Sequence, residues 1–319
     1  MPPRVSAGSV VGIIRDAIGT DVSGLMPLRP GSWSTVYAFR AEGRQYVIPF
    51  SETHDDFERD RFAQTFNTAT LPIPRVVAIG TIDAMHYAIS ERAPGTFLDD
   101  LDADGMRQLL PSLLQALEAM RTTDTSATSG FGVWREGGDA PYPAFASFLA
   151  SVADDTTATR DGGWRERLAS SSVGMGPFDE CYREMMHLLD GVPEYRHIVH
   201  ADLLNFNVLV EHGAITGVID WGCAFYGDHL YDVAWFAFWS PWYPQWHDLD
   251  LTSRMLAFFR DAGADMEHAE QRLRCYMLHI GLGQMRYSAS IERWDTLEAE
   301  ASRTLSIARR TLFTLSETA

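Results

Sequence analysis

The segment VHADLLNFNVLVEHGAITGVIDW, residues 199–221, sets His200, Asp202, Asn207 and Asp220 among apolar runs. An aspartate and an asparagine are hard oxygen donors, suited to Mg2+ that keeps much of its coordination for phosphate oxygens. A further carboxylate, not consumed by metal, can accept the proton of a hydroxyl nucleophile. His-x-Asp-x4-Asn, followed thirteen residues later by Asp220, is thus a pattern for kinase-type phosphoryl transfer, in which positioning and electrostatics do nearly everything. The plain alternative is that these polar side chains cap turns. A strand, an Asp-Trp pair and an N-terminal region of kinase character weigh against it.

Such chemistry needs Asn207 and Asp220 side by side. Short strands at 206–210 and 214–219 around Glu-His-Gly would form a hairpin that does this, with Asp202 on the loop before. Upstream, the first helix ends at Gly19, and 35–50 alternates as a hairpin around Glu42-Gly43. Residues 53–66 read as a helix with Thr53 as N-cap and Phe57, Phe62 and Phe66 as its apolar stripe. LPIPRVVAIG and MHYAISERAPG read as further strands. Residues 1–90 therefore form a small, largely antiparallel lobe, and helices dominate from Pro94 onward. The first of these runs through DADGMRQLLPSLLQALEAMRTT, with Pro111 in its early turns or bending it. Residues 123–165 read as loops and a short helix; helices follow at 228–239, 250–262, 268–288 and 296–315. The fold class is α+β.

Composition narrows the chemistry. The formal charge is −17, from 26 basic and 43 acidic residues, which argues against nucleic acid and anionic membranes as partners. All the basic residues are arginine. Without lysine there is no Walker A loop, so P-loop nucleotide chemistry is excluded. Cys181, Cys223 and Cys275 are odd in number and far apart, which suits a reducing compartment, with cytoplasm the expectation. No apolar run is long enough to span a bilayer, and the first residues read as an amphipathic helix rather than a signal peptide.

On LPIP (71–74), TSGFG (128–132), VHAD and NVL (199–209), VIDW (218–221), GD (227–228) and RLRCYMLHIGL (272–282), the chain resembles the aminoglycoside phosphotransferase family. The last of these motifs points to its hygromycin B phosphotransferase branch. The resemblance runs from the first helix to about residue 290. It implies a two-lobed protein-kinase-like fold with a nucleotide-binding lobe at 1–89, a hinge at 90–95 and a helical catalytic lobe at 96–319. It also implies ATP as donor, Mg2+ as cofactor, and a monomer acting on a small-molecule antibiotic. Asp202 then matches the catalytic base or hydroxyl-orienting residue, Asn207 and Asp220 the Mg2+ ligands, and His200 a structural brace. Ser32 and Ser34, in the loop before the hairpin, fall on the nucleotide side, as does Asp60. Ser90 and Arg92 would hold the adenine edge through their backbone. Only the seven residues 221–227 separate Asp220 from Asp228, too few for the activation segment of a protein kinase, so the acceptor is a small molecule.

Two departures bear on function. The strand-three lysine or arginine of the family falls on Pro49, which offers neither charge nor backbone donor. Either a nearby arginine (Arg44, Arg59 or Arg61) substitutes, or the chain is a nucleotide-binding pseudokinase. Activity is favoured because the three chemical positions are intact. Second, Gly283 stands where the hygromycin branch carries an acid. Meanwhile WFAFWSPWYPQW (235–246) concentrates aromatics: Trp235 and Trp239 read as core, whereas Trp242, Tyr243 and Trp246 fall in a proline-broken, exposed loop. Candidate acceptor contacts are Trp239, Trp242, Tyr243, Gln284 and Tyr287. Aromatic walls favour a neutral nucleoside antibiotic such as capuramycin slightly over a hygromycin-like aminocyclitol. The acidic runs at 99–105 and 247–250 read as solvated helix starts. A metabolic kinase acting on choline, a sugar or an amino alcohol is the alternative enzyme.

Overall fold

The computed structural model describes residues 5, 7–29, 34–156 and 161–309. Ser32 lies outside them. The chain divides into two compact units, one built from 1–129, 133–140 and 202–225, the other from 130–132, 141–201 and 226–319. No helix among the described residues is long and apolar enough to cross a membrane.

In the first unit, helix α1 (Ala7–Ile18) is followed by strands β1 (Ser23–Pro27), β2 (Thr35–Ala41) and β3 (Arg44–Ser51), then helix α2 (Asp55–Ala63) and strands β4 (Val76–Ile82) and β5 (Met85–Glu91). The five strands make one antiparallel sheet in the order β1-β2-β3-β5-β4. Val10, Ile13 and Ile14 fall on one face of α1 and pack on Phe39, Ala41, Ile48, Phe50 and Ile89. Gly19 closes α1 with φ of 71°, its N–H donating to Arg15 O at 2.9 Å. Because side chains alternate, Val47, Pro49 and Ser51 occupy the sheet face opposite Ile48 and Phe50. Pro49 pairs with Val36 in an unbroken β2–β3 register. The β3–β5 ladder is interrupted at Ile48 and Pro49 and resumes in the same register at Phe50. A proline without an N–H thus sits in a central strand with no slip.

Helix α2 starts later than Thr53. His54 occupies the N-cap position without a capping side chain, and Thr53 Oγ1 instead donates to Asp56 Oδ2 at 3.3 Å. The helix also ends early, with 64–66 winding into a 3-10 turn. Strand β6 (Thr96–Phe97) then leads to α3 (Ala103–Thr122), which contains Pro111 and is capped by Asp102, whose carboxylate accepts from Gly105 N at 2.8 Å. Short strands β7 (Gly132–Val133), β8 (His197–Val199), β9 (Val208–Glu211), β10 (Ala214–Val218) and β11 (Phe225–Gly227) complete the set. Strands β9 and β10 form the expected hairpin, and β6 pairs with β9 on its other side.

The second unit is helical: α4 (Phe145–Ala150), α5 (Trp164–Ser170), α6 (Gly176–Leu188), α7 (Leu230–Trp239), α8 (Leu251–Asp261), α9 (Ala269–Ser290) and α10 (Trp294–Ala308). Helices α5, α6, α7 and α10 pack on α9, the buried axis of the unit. Gly281 permits the approach of α10, since a Cβ there would lie 2.1 Å from Thr304 Oγ1. Near this contact Glu300 is buried and its Oε2 makes no hydrogen bond. Burial raises its pKa to about 7, against a hydrogen bond from Ser288. A raised acid contributes stability below its unfolded pKa and loses it as pH rises through the folded value. Glu300→Gln should therefore gain up to about 3 kcal/mol over the parent at pH 8.5 and little at pH 4.5. Urea denaturation at the two pH values measures this; a gain independent of pH would show that Glu300 does not titrate there.

The aromatic segment departs from expectation. Residues 240–242 and 244–249 are 3-10 turns, and Trp246 is buried, its ring stacked at 4.5 Å on Tyr243. Trp242 is exposed, yet it packs on Phe238 and Trp239. Trp235 is core, as read. Most of these rings are thus spent on one another.

Candidate active site

The loop joining β8 to β9 carries Ala201, Asn205 and Phe206 in left-handed backbone, with φ of 62°, 67° and 68°, and Asp220 after β10 has φ of 61°. Non-glycine residues in this region cost energy, and they persist where surrounding bonds over-determine them. For the β8–β9 loop two carboxylates supply those bonds. Asp99 accepts the N–H of Asn205 on Oδ1 and of Phe206 on Oδ2, both at 2.9 Å. In the second unit, Asp232 accepts from His200 N at 3.0 Å and Ala201 N at 2.9 Å. The His200 side chain is fully buried.

Asp202 is held by both oxygens. Asn205 Nδ2 donates to Oδ1 at 2.6 Å and Asn207 Nδ2 donates to Oδ2 at 3.0 Å. Asn207 Nδ2 also donates to the carbonyl of Asp202 at 2.8 Å, so the amide nitrogen is committed to Asp202 and Oδ1 is the atom that could serve as a ligand. The hairpin continues beyond β10 through Ile219 N to Asn207 O at 2.9 Å, bringing Asn207 beside the residue preceding Asp220. Trp221 N then donates to Asp60 Oδ1 at 2.8 Å. Asp202, Asn207, Asp220 and Asp60 are therefore brought together within the first unit.

The electrostatics follow from this crowding. Burial, then the charge of Asp220, raises the Asp202 carboxyl well above its usual range. The same two causes, in the same order, push Asp60 up to about 8. Half-buried Asp202 and Asp60 and an exposed Asp220 around one turn, with the amide oxygen of Asn207, are a donor set that fits a hard divalent cation.

On the nucleotide side, Asp60 meets no cation from β3, where Pro49 stands; its bond is to the Trp221 amide. Ser34 is half-buried just before β2, and Ser90 pairs with Val47 and Val76 inside the sheet. Arg92 corrects an expectation, since its N–H donates to Gln45 O at 3.0 Å and is not available to a base. Of the arginines weighed against the missing lysine, Arg44 pairs with Glu91 and Arg61 with Glu58, both well exposed. Arg59 alone of the three is largely buried, with 19% of its side chain exposed. The acceptor candidates Trp239, Trp242, Tyr243, Gln284 and Tyr287 lie on α7, the following turns and α9 of the second unit. Gly283 has open space around its Cα.

Asp99, Asn205 and Asp232 were missed by sequence reasoning. The only signal for Asp99 was an acidic run, and it is Asp102 that caps the helix there.

Comparison with known proteins places these features. Residues 25–300 match the model of the phosphotransferase enzyme family. The chain is 34% identical over 291 residues to a hygromycin-B 4-O-kinase from Escherichia coli, covering 90% of this chain and 80% of that protein. It superimposes with a TM-score of 0.82 and 32% identity on a thermostable mutant of aminoglycoside phosphotransferase APH(4)-Ia in ternary complex with AMP-PNP and hygromycin B, covering 96% of this chain and all of the other. A putative fructosamine-3-kinase from Haemophilus somnus, 14% identical with a TM-score of 0.63 over 95% of this chain and 97% of its own, shares the fold. The chain therefore belongs to the phosphotransferase enzyme family, with the kinase-like fold of that family and an alcohol group as phosphoryl acceptor.

Proposed function

We propose that the protein is an ATP-dependent O-phosphotransferase that inactivates a hydroxyl-bearing antibiotic, with a hygromycin-like aminocyclitol as its first candidate acceptor. The observation that carries the reading is the double clamp on Asp202, which holds a half-buried carboxylate beside the Asn207 and Asp220 ligand pair. The Asp202 carboxylate takes a hydrogen bond from the acceptor hydroxyl. That oxygen attacks the terminal phosphorus of ATP as the bond to the departing ADP oxygen breaks, and the hydroxyl proton passes to Asp202. Asn207 Oδ1 and the Asp220 carboxylate would hold Mg2+, which when bound supplies charge neutralisation to the phosphate oxygens. Ser34, Asp60, Ser90 and Arg92 would serve the nucleotide side, with 90–95 as hinge between lobes 1–89 and 96–319. The protein acts as a cytoplasmic monomer on small molecules.

The relatives named above support the aminocyclitol. So does the aromatic segment, because a buried Trp246 stacked on Tyr243 gives up the flat walls that a nucleoside would need. A neutral nucleoside such as capuramycin is the second reading, favoured by Gly283, where the hygromycin branch has an acid. Steady-state phosphorylation of hygromycin B and capuramycin separates them. Higher kcat/KM on hygromycin B is expected, with a KM that rises with salt as screening weakens contacts to a polycation. Gly283→Glu should lower that KM further, since the space is open. Faster turnover of capuramycin would reverse the choice, and ATP consumption with neither compound but with choline or a sugar would make the chain a metabolic kinase.

A further inference from the structure

We infer that Arg59 is a positioning residue for the metal site: it holds the turn that carries Asp220, and so does by bracing what the family's strand-three cation does by contact. The inference rests on the phosphotransferase reading above. Asp56, Arg59 and Asp60 are spaced i, i+3, i+4 and share one face of α2. All three reach the turn after Asp220. Asp60 Oδ1 accepts from Trp221 N at 2.8 Å, and Arg59 Nη1 donates to Gly222 O at 3.2 Å. Asp56 Oδ1 lies 3.1 Å from where a Cβ on Gly222 would stand, and Asp220 Oδ1 lies 3.4 Å from the same point. Glycine at 222 is what lets both carboxylates close on the turn.

The guanidinium is the centre of this arrangement. Its Nη1 also donates to Asp56 Oδ1 at 3.0 Å, and its Nε donates to Trp134 O at 2.8 Å. Nη2 lies 4.0 Å from Asp55 Oδ2. Trp134 is fully buried and stacks on Trp221 at 6.0 Å, with 10° between the ring planes. One planar fork therefore ties α2, the 133–140 segment and residue 222 together, a geometry that a lysine's point charge cannot reproduce. Because Asp220 itself is in left-handed backbone, the aim of its carboxylate depends on what holds residues 221 and 222. With its Nε and Nη1 donors committed to protein acceptors, Arg59 serves the site by holding Asp220 rather than by reaching for phosphate.

The test is calorimetric titration of the full chain with ADP, with and without MgCl2, for the parent and for Arg59→Met and Arg59→Lys. Thermal midpoints are taken on the same samples. The parent should bind ADP more tightly with Mg2+. Both variants should keep the metal-free ADP affinity within about twofold and lose at least tenfold of the Mg2+ enhancement. The Mg2+ concentration for half-maximal turnover should rise by a similar factor, with kcat recovering in part at saturating metal. If Arg59→Met does not fold, Arg59→Lys carries the test, since it keeps the charge and lacks the fork. Loss of metal-free affinity with the enhancement retained would mean that Arg59 contacts phosphate directly and would overturn the inference. So would changes that only track the folded fraction. A parent with no Mg2+ enhancement would remove the phosphotransferase reading, and the inference would fall with it.

Discussion

Asp202→Asn is expected to lower kcat by roughly two to four orders of magnitude while leaving the affinity for nucleotide nearly unchanged. The reason lies in what faces the carboxylate. Both oxygens accept from side-chain amides, Oδ1 from Asn205 and Oδ2 from Asn207. An asparagine there removes the charge that orients the attacking hydroxyl. It also sets an N–H against one of those two N–H donors, so the side chain must rotate or lose a bond. Both effects fall on the reacting hydroxyl and neither on the adenine or phosphates. Single-turnover rates at saturating ATP, with ATP binding measured separately, give the split. A variant that retains most of its turnover would remove Asp202 from the chemistry, and one that loses ATP binding in parallel would place it on the nucleotide.

The core of this site was legible in the sequence because it is built from local devices. A hairpin of two short strands returns the chain after the Glu-His-Gly turn, so thirteen residues of spacing become adjacency of Asn207 with the Asp220 turn. Pro49 could be placed on its strand by alternation alone, and the observed register agrees. What the sequence hid were the bonds made over long separations. Asp99 reaches Asn205 across 106 positions, and Asp232 reaches His200 across 32. Each is a carboxylate accepting backbone N–H groups, for which no side-chain pattern exists. Helices α5 and α6 were legible but went unread: Trp164 and Leu168, then Phe178, Cys181, Met185 and Leu188, recur at helical spacing and are all buried. Trp246 shows the opposite limit, because Pro241 and Pro244 before it signalled a break in the helix while a 3-10 turn carried the ring back into the core. Thr53 had the right residue type for a cap, but its hydroxyl donates to Asp56 Oδ2 and the helix starts later, leaving His54 at the cap position.

The largest loss of stability is expected from Arg272→Met in the helical unit. Arg272 donates Nε to Asp228 Oδ2 at 2.7 Å and Nη2 to Asp228 Oδ1 at 2.8 Å, and both residues are essentially inaccessible to solvent. Its Nη1 further satisfies the carbonyls of Asp265 and Glu267, and Tyr276 donates its hydroxyl to Asp228 at 2.5 Å. Burial alone would raise the Asp228 carboxyl, but the close approach of the His229 ring, its Nδ1 3.1 Å from Oδ1, and the hydrogen bonds from Arg272 outweigh it and hold the group well below the usual carboxylate range. Removing the guanidinium strands a buried charge at a cost of about 3–5 kcal/mol, a large part of the roughly 5–15 kcal/mol that holds a domain folded. The sign of the pH dependence separates this from mere loss of packing. A depressed acid stabilises above its unfolded pKa and loses that contribution as pH falls, so the parent weakens towards acid. In Arg272→Met the Asp228 carboxyl should rise and protonate in the folded state, so the gap between variant and parent should narrow from pH 8 to pH 4. Adding Asp228→Asn should recover part of the loss at pH 8, because the stranded charge is gone and the two residues share one network. Urea denaturation of the parent, both single variants and the double variant at the two pH values closes the cycle. A double variant as unstable as the sum of the singles would show that the pair is not coupled and that Arg272 acts through its bonds to the carbonyls of 265 and 267.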